Sequence, residues 1–275
     1  MIFETFTIQS PIDKAVDEIF YFKNFTPEHN IEKVVPTPNV FIIFELDGFE
    51  RSVYNNTSTK IKKIYKNVWI AGVQTKHIFI SAHQSSEMLI VKLKHYGSLP
   101  FLKLGIDQFT DKVIQGEEIF NEVLDIRDEL IQKKTPLEKY DLIKKWLITK
   151  YAEDMMPPEY FIKTLKELEQ NPAANFNQVI SRYPHTQKHM INQFKKFIGL
   201  TPKTFHRILR FSEVLEQINA RKLISWSQVS YACGFSDQAH FIREFRKFSG
   251  FNPSEFIKND EHNSRINFFP IDSKG

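Results

Sequence analysis

Between Ser236 and Phe248 the chain reads SDQAHFIREFRKF, and helical spacing sorts these side chains onto different faces. Phe241, Phe245 and Phe248, four and three residues apart, form one apolar stripe. Gln238, Ala239, His240, Ile242, Arg243, Arg246 and Lys247 occupy the other faces. Amide, imidazole and guanidinium groups at such positions can reach the hydrogen-bonding edges of bases, and the cations beyond them can meet phosphates. The preceding WSQVSYACGF reads as a supporting helix that must stop at Gly234, because glycine takes a left-handed conformation without strain. Ser236 is the expected N-cap of the next helix, with Asp237 favourable at its positive end. Helix, tight turn and helix is the arrangement that a helix-turn-helix reader of the major groove requires.

The same pattern occurs twice. FKKFIGLTPKTF at 194–205 and FRKFSGFNPSEF at 245–256 share six of twelve positions and lie 51 residues apart. A duplicated supersecondary unit explains this better than chance. In the first copy Phe176, Val179 and Ile180 belong to the supporting helix, Tyr183 and Pro184 to the turn, and Thr186 is the expected N-cap. Met190, Phe194 and Phe197 should point inward, leaving Gln187, Lys188, His189, Asn192, Lys195 and Lys196 outward. Between the copies, TPKTFHRILRFSEVLEQINA predicts one long helix with Phe205, Ile208, Leu209, Ser212, Leu215 and Ile218 on one face. Two units held apart by such a helix could enter the major groove about 34 Å, one turn, apart.

Charge follows this division. The chain has 275 residues and a net charge of +4, yet residues 157–258 carry fifteen Lys/Arg against eight Asp/Glu, leaving −3 for the rest. The basic duplicated part suits a polyanionic partner. No apolar run is long enough for a membrane span, and the first residues, MIFETFTIQSPIDK, lack the basic start and apolar middle of a secretory signal. The single cysteine, Cys233, cannot form an intrachain disulfide, which agrees with a reducing compartment. A cytoplasmic location with no membrane partner is expected.

Up to about Lys94 the chain alternates like half-buried strands, in FIIFEL at 41–46, VWIAGV at 68–73, HIFIS at 77–81 and MLIVKLK at 88–94. In the last, Leu89, Val91 and Leu93 share one face. Turn clusters at 36–39 and 54–59 separate such segments, and short strands at this spacing suggest a barrel or sandwich. From Pro136 the period becomes helical, with Leu137, Tyr140, Ile143, Leu147 and Tyr151 along a stripe that could pack on the strands or pair with a second subunit. MMPP at 155–158 breaks this helix and marks the best domain boundary. The tail is polar apart from INFFPI and remains unassigned.

Several residues invite sharper chemistry. His29, His77, His83 and His95 are scattered, without the close pair and carboxylate of a metal site, so no metal and no cofactor is expected. Cys233 precedes the turn glycine, where a small buried side chain fits better than a nucleophile. The 26 Phe fall mostly on inward positions and read as core rather than a stacking surface. Trp69, Phe79, Met88 and Tyr96 are candidates for lining a ligand pocket. Glu45, Asp47 and Glu50 straddle a turn at Gly48 and read as a solvated hairpin end. No nucleophile, base and orienting group occur together, so an enzyme is not expected.

GFSDQAHFIREFRKFSGFNPSEF resembles the signature of the AraC/XylS family of bacterial transcription regulators, and the resemblance covers residues 157–258. It implies base-reading roles for Gln187, Lys188 and Asn192 in the first unit and Gln238, His240 and Arg243 in the second. Lys195, Arg246 and Lys247 would contact phosphates. Pro184 stands where the family's turn usually has glycine, and Asn192 where arginine is frequent. The first part resembles the β-rich, cupin-like domain of one subgroup, through VPTPNVFIIFEL, IAGVQT at 70–75 and residues 96–113. The implied fold is α+β and multidomain. A cupin-like barrel or sandwich with a helical extension fills 1–155, an all-α double helix-turn-helix domain fills 156–260, and 261–275 is a tail. The implied function is sequence-specific regulation of transcription on double-stranded DNA. RNA polymerase would be a partner, and the first domain would bind a small-molecule effector or mediate homodimerisation. The alternatives are a small-molecule-binding β-domain protein and a ligand-independent regulator.

Overall fold

The long apolar runs of the first part fold as strands of two antiparallel sheets. The computed structural model describes residues 1–55, 58–219, 225–258 and 268–270. The strands are β1 (Ile2–Phe6), β2 (Val16–Phe25), β3 (Ile31–Val34), β4 (Phe41–Glu45), β5 (Arg51–Asn55), β6 (Ser58–Tyr65), β7 (Val68–Ala71), β8 (Ile78–Ser81), β9 (Ser86–Leu93), β10 (Val113–Gln115) and β11 (Phe268–Pro270). One sheet has the order β1-β2-β9-β4-β7-β10 and the other β11-β3-β8-β5-β6. The expected turn at 54–59 falls partly on residues outside those described.

The alternation read as half-buried strands is buried on both faces in the first sheet. Ile42 and Phe44 of β4, with Leu89, Val91 and Leu93 of β9, face the helices, whereas Ile43 and Ile90 join a second apolar cluster facing the other sheet. A sheet covered on both sides needs apolar residues in both phases, which is why FIIF and MLIV run almost without interruption.

Helices α1 (Leu99–Leu102), α2 (Val123–Gln132) and α3 (Pro136–Lys150) cover the outer face of the first sheet. Thr135 and Glu138 close a reciprocal capping box at the start of α3, with Pro136 in its first turn. Tyr140, Ile143, Trp146 and Leu147 are buried, and Trp146 meets Phe44 edge-on at 5.7 Å. The stripe therefore packs on the strands. It centres on Ile143 and Leu147, which leaves Leu137 at its margin and 59% exposed, against expectation.

Pro157 and Pro158 precede α4 (Glu159–Gln170), and α5 (Phe176–Ser181), α6 (Gln187–Ile198), α7 (Pro202–Asn219), α8 (Trp226–Ala232), α9 (Gln238–Ser249) and α10 (Pro253–Lys258) follow. In α7 the expected Phe205, Ile208, Leu209, Leu215 and Ile218 are buried, with Ser212 half-buried. Phe211 and Val214 are buried as well, because α7 is packed by helices of both units rather than along a single stripe.

The helical part also packs on the β-rich part. Thr110 Oγ1 donates to Gly199 O at 2.6 Å, and the His95 Nδ1 to Glu169 Oε1 distance is 2.7 Å. The unassigned tail contributes β11, whose Phe268, Phe269 and Pro270 pair with Val34, Lys33 and Glu32 of β3.

Candidate nucleic-acid interface

The two copies of the sequence repeat become the same piece of structure. Gly199 and Gly250 end α6 and α9 in left-handed conformations, at φ of +81° and +74°. Pro202 and Pro253 then open the next helices, and Phe205 and Phe256 are buried beneath them. Glycine is required twice, since a side chain at either position would be strained and would also strike neighbours at 2.7–2.8 Å.

Each outward-facing helix is started by a side chain. Thr186 Oγ1 accepts the backbone N–H of His189 at 3.2 Å. In the second unit the cap is Asp237 and not Ser236: its Oδ1 accepts the N–H of His240 at 2.7 Å. Asp237 has the extended backbone of a cap, and a carboxylate is favoured at the positive end of a helix. That N–H, followed by the Ser236 hydroxyl, holds the Asp237 carboxyl below the usual carboxylate range.

Met190, Phe194 and Phe197 of α6 and Phe241, Phe245 and Phe248 of α9 are buried, as their spacing predicts. Phe194 sits between Phe161 and Phe205, and Phe245 meets Phe211 and Phe256. This fixes which way the opposite faces point. Gln187, Lys188, Asn192 and Lys195 are exposed on α6, as are Gln238, Arg243, Arg246 and Lys247 on α9. His240 is half-buried, with Nδ1 3.1 Å from Ser236 Oγ and its ring edge-on to Phe235. His189, expected outward, is instead half-buried among the rings of Tyr160, Tyr183 and His185.

Three residues that spacing did not single out position the second unit. Arg207 of α7 donates from Nε and a terminal nitrogen to the two carboxylate oxygens of Glu244 on α9, at 2.5 and 2.7 Å. Arg210, one turn on, donates to Cys233 O at 2.9 Å and lies 3.8 Å above the Phe235 ring. Arg207 and Glu244 are thus a bidentate clamp between the linking helix and the outward-facing one. A 3.6-residue period reveals helix faces but not which exposed Arg meets which Glu. Cys233 is fully buried, in keeping with a structural role.

A cavity of about 740 Å³ lies between the two sheets and reaches α7. Trp69 and Met88 line it, whereas Tyr96 belongs to the other apolar core and Phe79 sits on the opposite face of β8 from Ile78 and Ile80. The acidic group at Gly48 differs from the expected solvated hairpin end. Glu45 and Asp47 are buried and both meet the guanidinium of Arg51 at 2.7 Å, while Glu50 alone is exposed and pairs with Lys66. Burial pushes the Glu45 carboxyl up, and Arg51 and the indole N–H of Trp69 oppose that shift. Among the described residues no three His, Cys, Asp or Glu side chains gather as a metal site, and no helix is long and apolar enough to cross a membrane. His29 and His95 each meet a single glutamate, Glu32 and Glu169.

Comparison with known proteins finds matches in both the β-rich and the helical part. Residues 182–259 match a helix-turn-helix domain family, and residues 5–115 match a domain family of unknown function, DUF6597. The transcriptional activator RhaS of Escherichia fergusonii is 28% identical over 88 residues, so the match spans only 30% of this chain and 30% of that relative's length. Among solved structures, ToxT from Vibrio cholerae is 9% identical with a TM-score of 0.48, over 93% of this chain and 98% of that one. A second ToxT structure, with an unsaturated fatty acid bound, is 12% identical with a TM-score of 0.48, over 87% of this chain and 94% of that one. The duplicated cap, buried stripes and outward polar faces of the C-terminal part agree with the helix-turn-helix domain that residues 182–259 match.

Proposed function

We propose that the protein is a sequence-specific regulator of transcription on double-stranded DNA. The observation that carries this reading is the pairing of α6 and α9. Each is anchored by three buried aromatic or Met side chains, each presents an exposed polar and basic face, and both pack on one helix, α7. In this reading Gln187, Lys188 and Asn192 meet bases in one major-groove segment, and Gln238, His240 and Arg243 in the next. Lys195, Arg246 and Lys247, exposed further along the same helices, contact phosphates and supply the salt-dependent part of the affinity.

Residues 1–155 act as the controlling domain, 156–260 as the DNA-binding domain and 261–275 as a tail. The domain works in the bacterial cytoplasm and acts on RNA polymerase. Control by an effector is favoured over control by dimerisation alone. The 740 Å³ cavity is of ligand size, whereas the apolar stripe of α3 is already covered by its own sheet.

Selection of bound sequences from a random duplex library, with the full-length protein, tests this reading. One enriched site with two half-elements about one helical turn, 34 Å, apart is the expected result. No enrichment at moderate salt would sink it.

A further inference from the structure

The two outward-facing helices are joined twice. The first joint is α7, which packs on α6 through Phe205 against Phe194 and on α9 through Phe211 against Phe245. The second lies in the β-rich part, where two loops meet the C-terminal ends of both helices. The loop at 109–112, before β10, reaches α6: Thr110 Oγ1 donates to Gly199 O at 2.6 Å, and a Cβ at Gly199 would lie 2.9 Å from Ile106 O. The loop at 72–77, between β7 and β8, reaches α9: His77 Nδ1 is 3.3 Å from Phe248 O, and a Cβ at Gly250 would lie 2.7 Å from the His77 ring.

The two loops are stitched to each other. Gly72 N–H donates to Lys112 O at 3.0 Å, and Asp111 N–H donates to Val73 O at 2.8 Å. A Cβ at Gly72 would lie 2.0 Å from Phe109 O, so only glycine permits this approach. Past these backbone bonds the Asp111 carboxylate carries the link onward. Its Oδ1 accepts the Thr75 N–H at 2.6 Å and its Oδ2 the Thr75 hydroxyl at 2.7 Å. Asp111 does this from a left-handed conformation, at φ of +58°, which aspartate and asparagine adopt more readily than most side chains. One path thus runs from Gly199 through Thr110, Asp111, Thr75 and His77 to Gly250.

A helix packed on α7 by rings alone can pivot about that contact, and a second joint removes this freedom. Side chains that recognise a ligand must be held within about 0.5 Å and 10–20°. Sliding one DNA half-element by a single base pair moves it by about 3.4 Å and turns it by about 34–36° around the duplex.

We propose that these two loops are a brace that fixes the separation and mutual orientation of α6 and α9. Thr110, Asp111 and Thr75 are then positioning residues that set the spacing of half-elements the protein accepts. The consequence for DNA rests on the regulator reading, whereas the brace itself does not.

The test uses the full-length protein and three variants. Asp111→Gly keeps the left-handed backbone and removes the carboxylate, and Thr110→Val removes the hydroxyl that holds Gly199. Asp111→Asn retains an acceptor for the Thr75 N–H and offers its amide to the Thr75 hydroxyl oxygen. Nitroxide labels at Gln187→Cys and Gln238→Cys, equivalent exposed positions of the two copies, report the separation of α6 and α9 by double electron–electron resonance, while Cys233 is fully buried and stays unlabelled. One narrow distance distribution is expected for the parent and Asp111→Asn, and a broadened one for Asp111→Gly and Thr110→Val. A broad distribution in the parent, or unchanged ones in variants folded by their thermal transitions, would overturn the brace whatever the DNA result.

The unlabelled proteins are then compared on the selected site with its half-elements moved one base pair closer or farther apart. Affinity should fall at least about tenfold in the parent and Asp111→Asn, and less than about threefold in Asp111→Gly and Thr110→Val. Equal losses in all four would assign the spacing to α7 and overturn the positioning role. Tighter binding of Asp111→Gly and Thr110→Val to the unshifted site would mark the contact as a lock that keeps the units off DNA, and would overturn that role too. Broadened distances in a protein that enriches no DNA sequence would leave the brace standing and remove the regulator reading instead.

Discussion

Lys33 on β3 holds its ammonium nitrogen 3.2 Å from the ring centroid of Phe251, the residue that follows the capping glycine of α9. His77 of the neighbouring segment stands at the same place, with Nδ1 3.3 Å from Phe248 O, and Gly250 lies directly against both side chains. The β-rich part thus grips the end of the second outward-facing helix. In the first unit the equivalent glycine, Gly199, is held by Thr110.

This grip has a pH dependence. Burial lowers the Lys33 pKa to about 8, with Glu255 opposing. A lysine depressed in the folded state is charged at a cost that is fully present below pH 8 and is relieved as pH rises from about 8 toward the unfolded value of 10.5. Lys33→Met keeps the packing stem and removes that cost, so the variant should gain in thermal stability over the parent at pH 7. The gain should shrink by pH 10. A difference between the two transition temperatures that stays constant with pH would contradict the assignment.

Arg243 and Lys247 should separate base reading from phosphate binding. Arg243→Ala is expected to cost about 1–3 kcal/mol on the selected site and to relax preference at one position. Lys247→Ala should weaken all duplexes alike and lower the salt slope by about one. Binding isotherms on selected and scrambled duplexes at several salt concentrations check both, and equal losses for Arg243→Ala on the two duplexes would remove its reading role.

Gly234 and Gly48 share a left-handed backbone, at φ of +70° and +82°, but not their surroundings. A Cβ at Gly234 would lie 2.9 Å from the Cα and O of Ala173, whereas one at Gly48 meets nothing within 4 Å. Gly48→Ala should therefore cost only the conformational penalty, about 1–2 kcal/mol. Gly234→Val must in addition push apart the loop before α5 and the turn after α8, unfolding the second unit. Thermal unfolding of both variants decides this, and an equally small loss at the two positions would refute it.

Arg51→Met should be among the most destabilising single changes in the β-rich part. It strands Glu45 and Asp47, both buried, without their cation, and removing one partner of a buried ion pair costs about 3–5 kcal/mol. Urea unfolding monitored by circular dichroism measures it. A loss below about 1 kcal/mol, the range of an exposed pair, would show that the cluster is solvated in solution.

Much of the helical part was legible because its signals are local. A stripe of Phe at spacings of four and three, a glycine that must be left-handed and a Thr or Asp cap each act within one or two turns. Even the error at Ser236 was a displacement of one residue between two competent caps. The β-rich part was legible as strands but not as chemistry. Glu45 and Asp47 read as solvated because charge is costly to bury, and the compensating Arg51, just across the Gly48 turn, shows its role only once the hairpin is closed. The same holds for Lys33 and Phe251, 218 positions apart by their numbers, whose contact depends on how the parts dock. Leu137 and His189 were misplaced for a related reason: a helical period gives the direction of a side chain, while its exposure depends on what lies opposite.

The pairing of β11 with β3 acts as a leash. The chain leaves the second unit at Lys258 and rejoins the first part at Phe268, with residues 259–267 between. Ten peptide steps reach at most about 33–36 Å when fully extended. As long as those few backbone hydrogen bonds hold, α10 cannot travel farther than that from the edge of the sandwich, even if the grip of Lys33 on Phe251 is lost. The reach of the second unit is therefore set by the length of its tail.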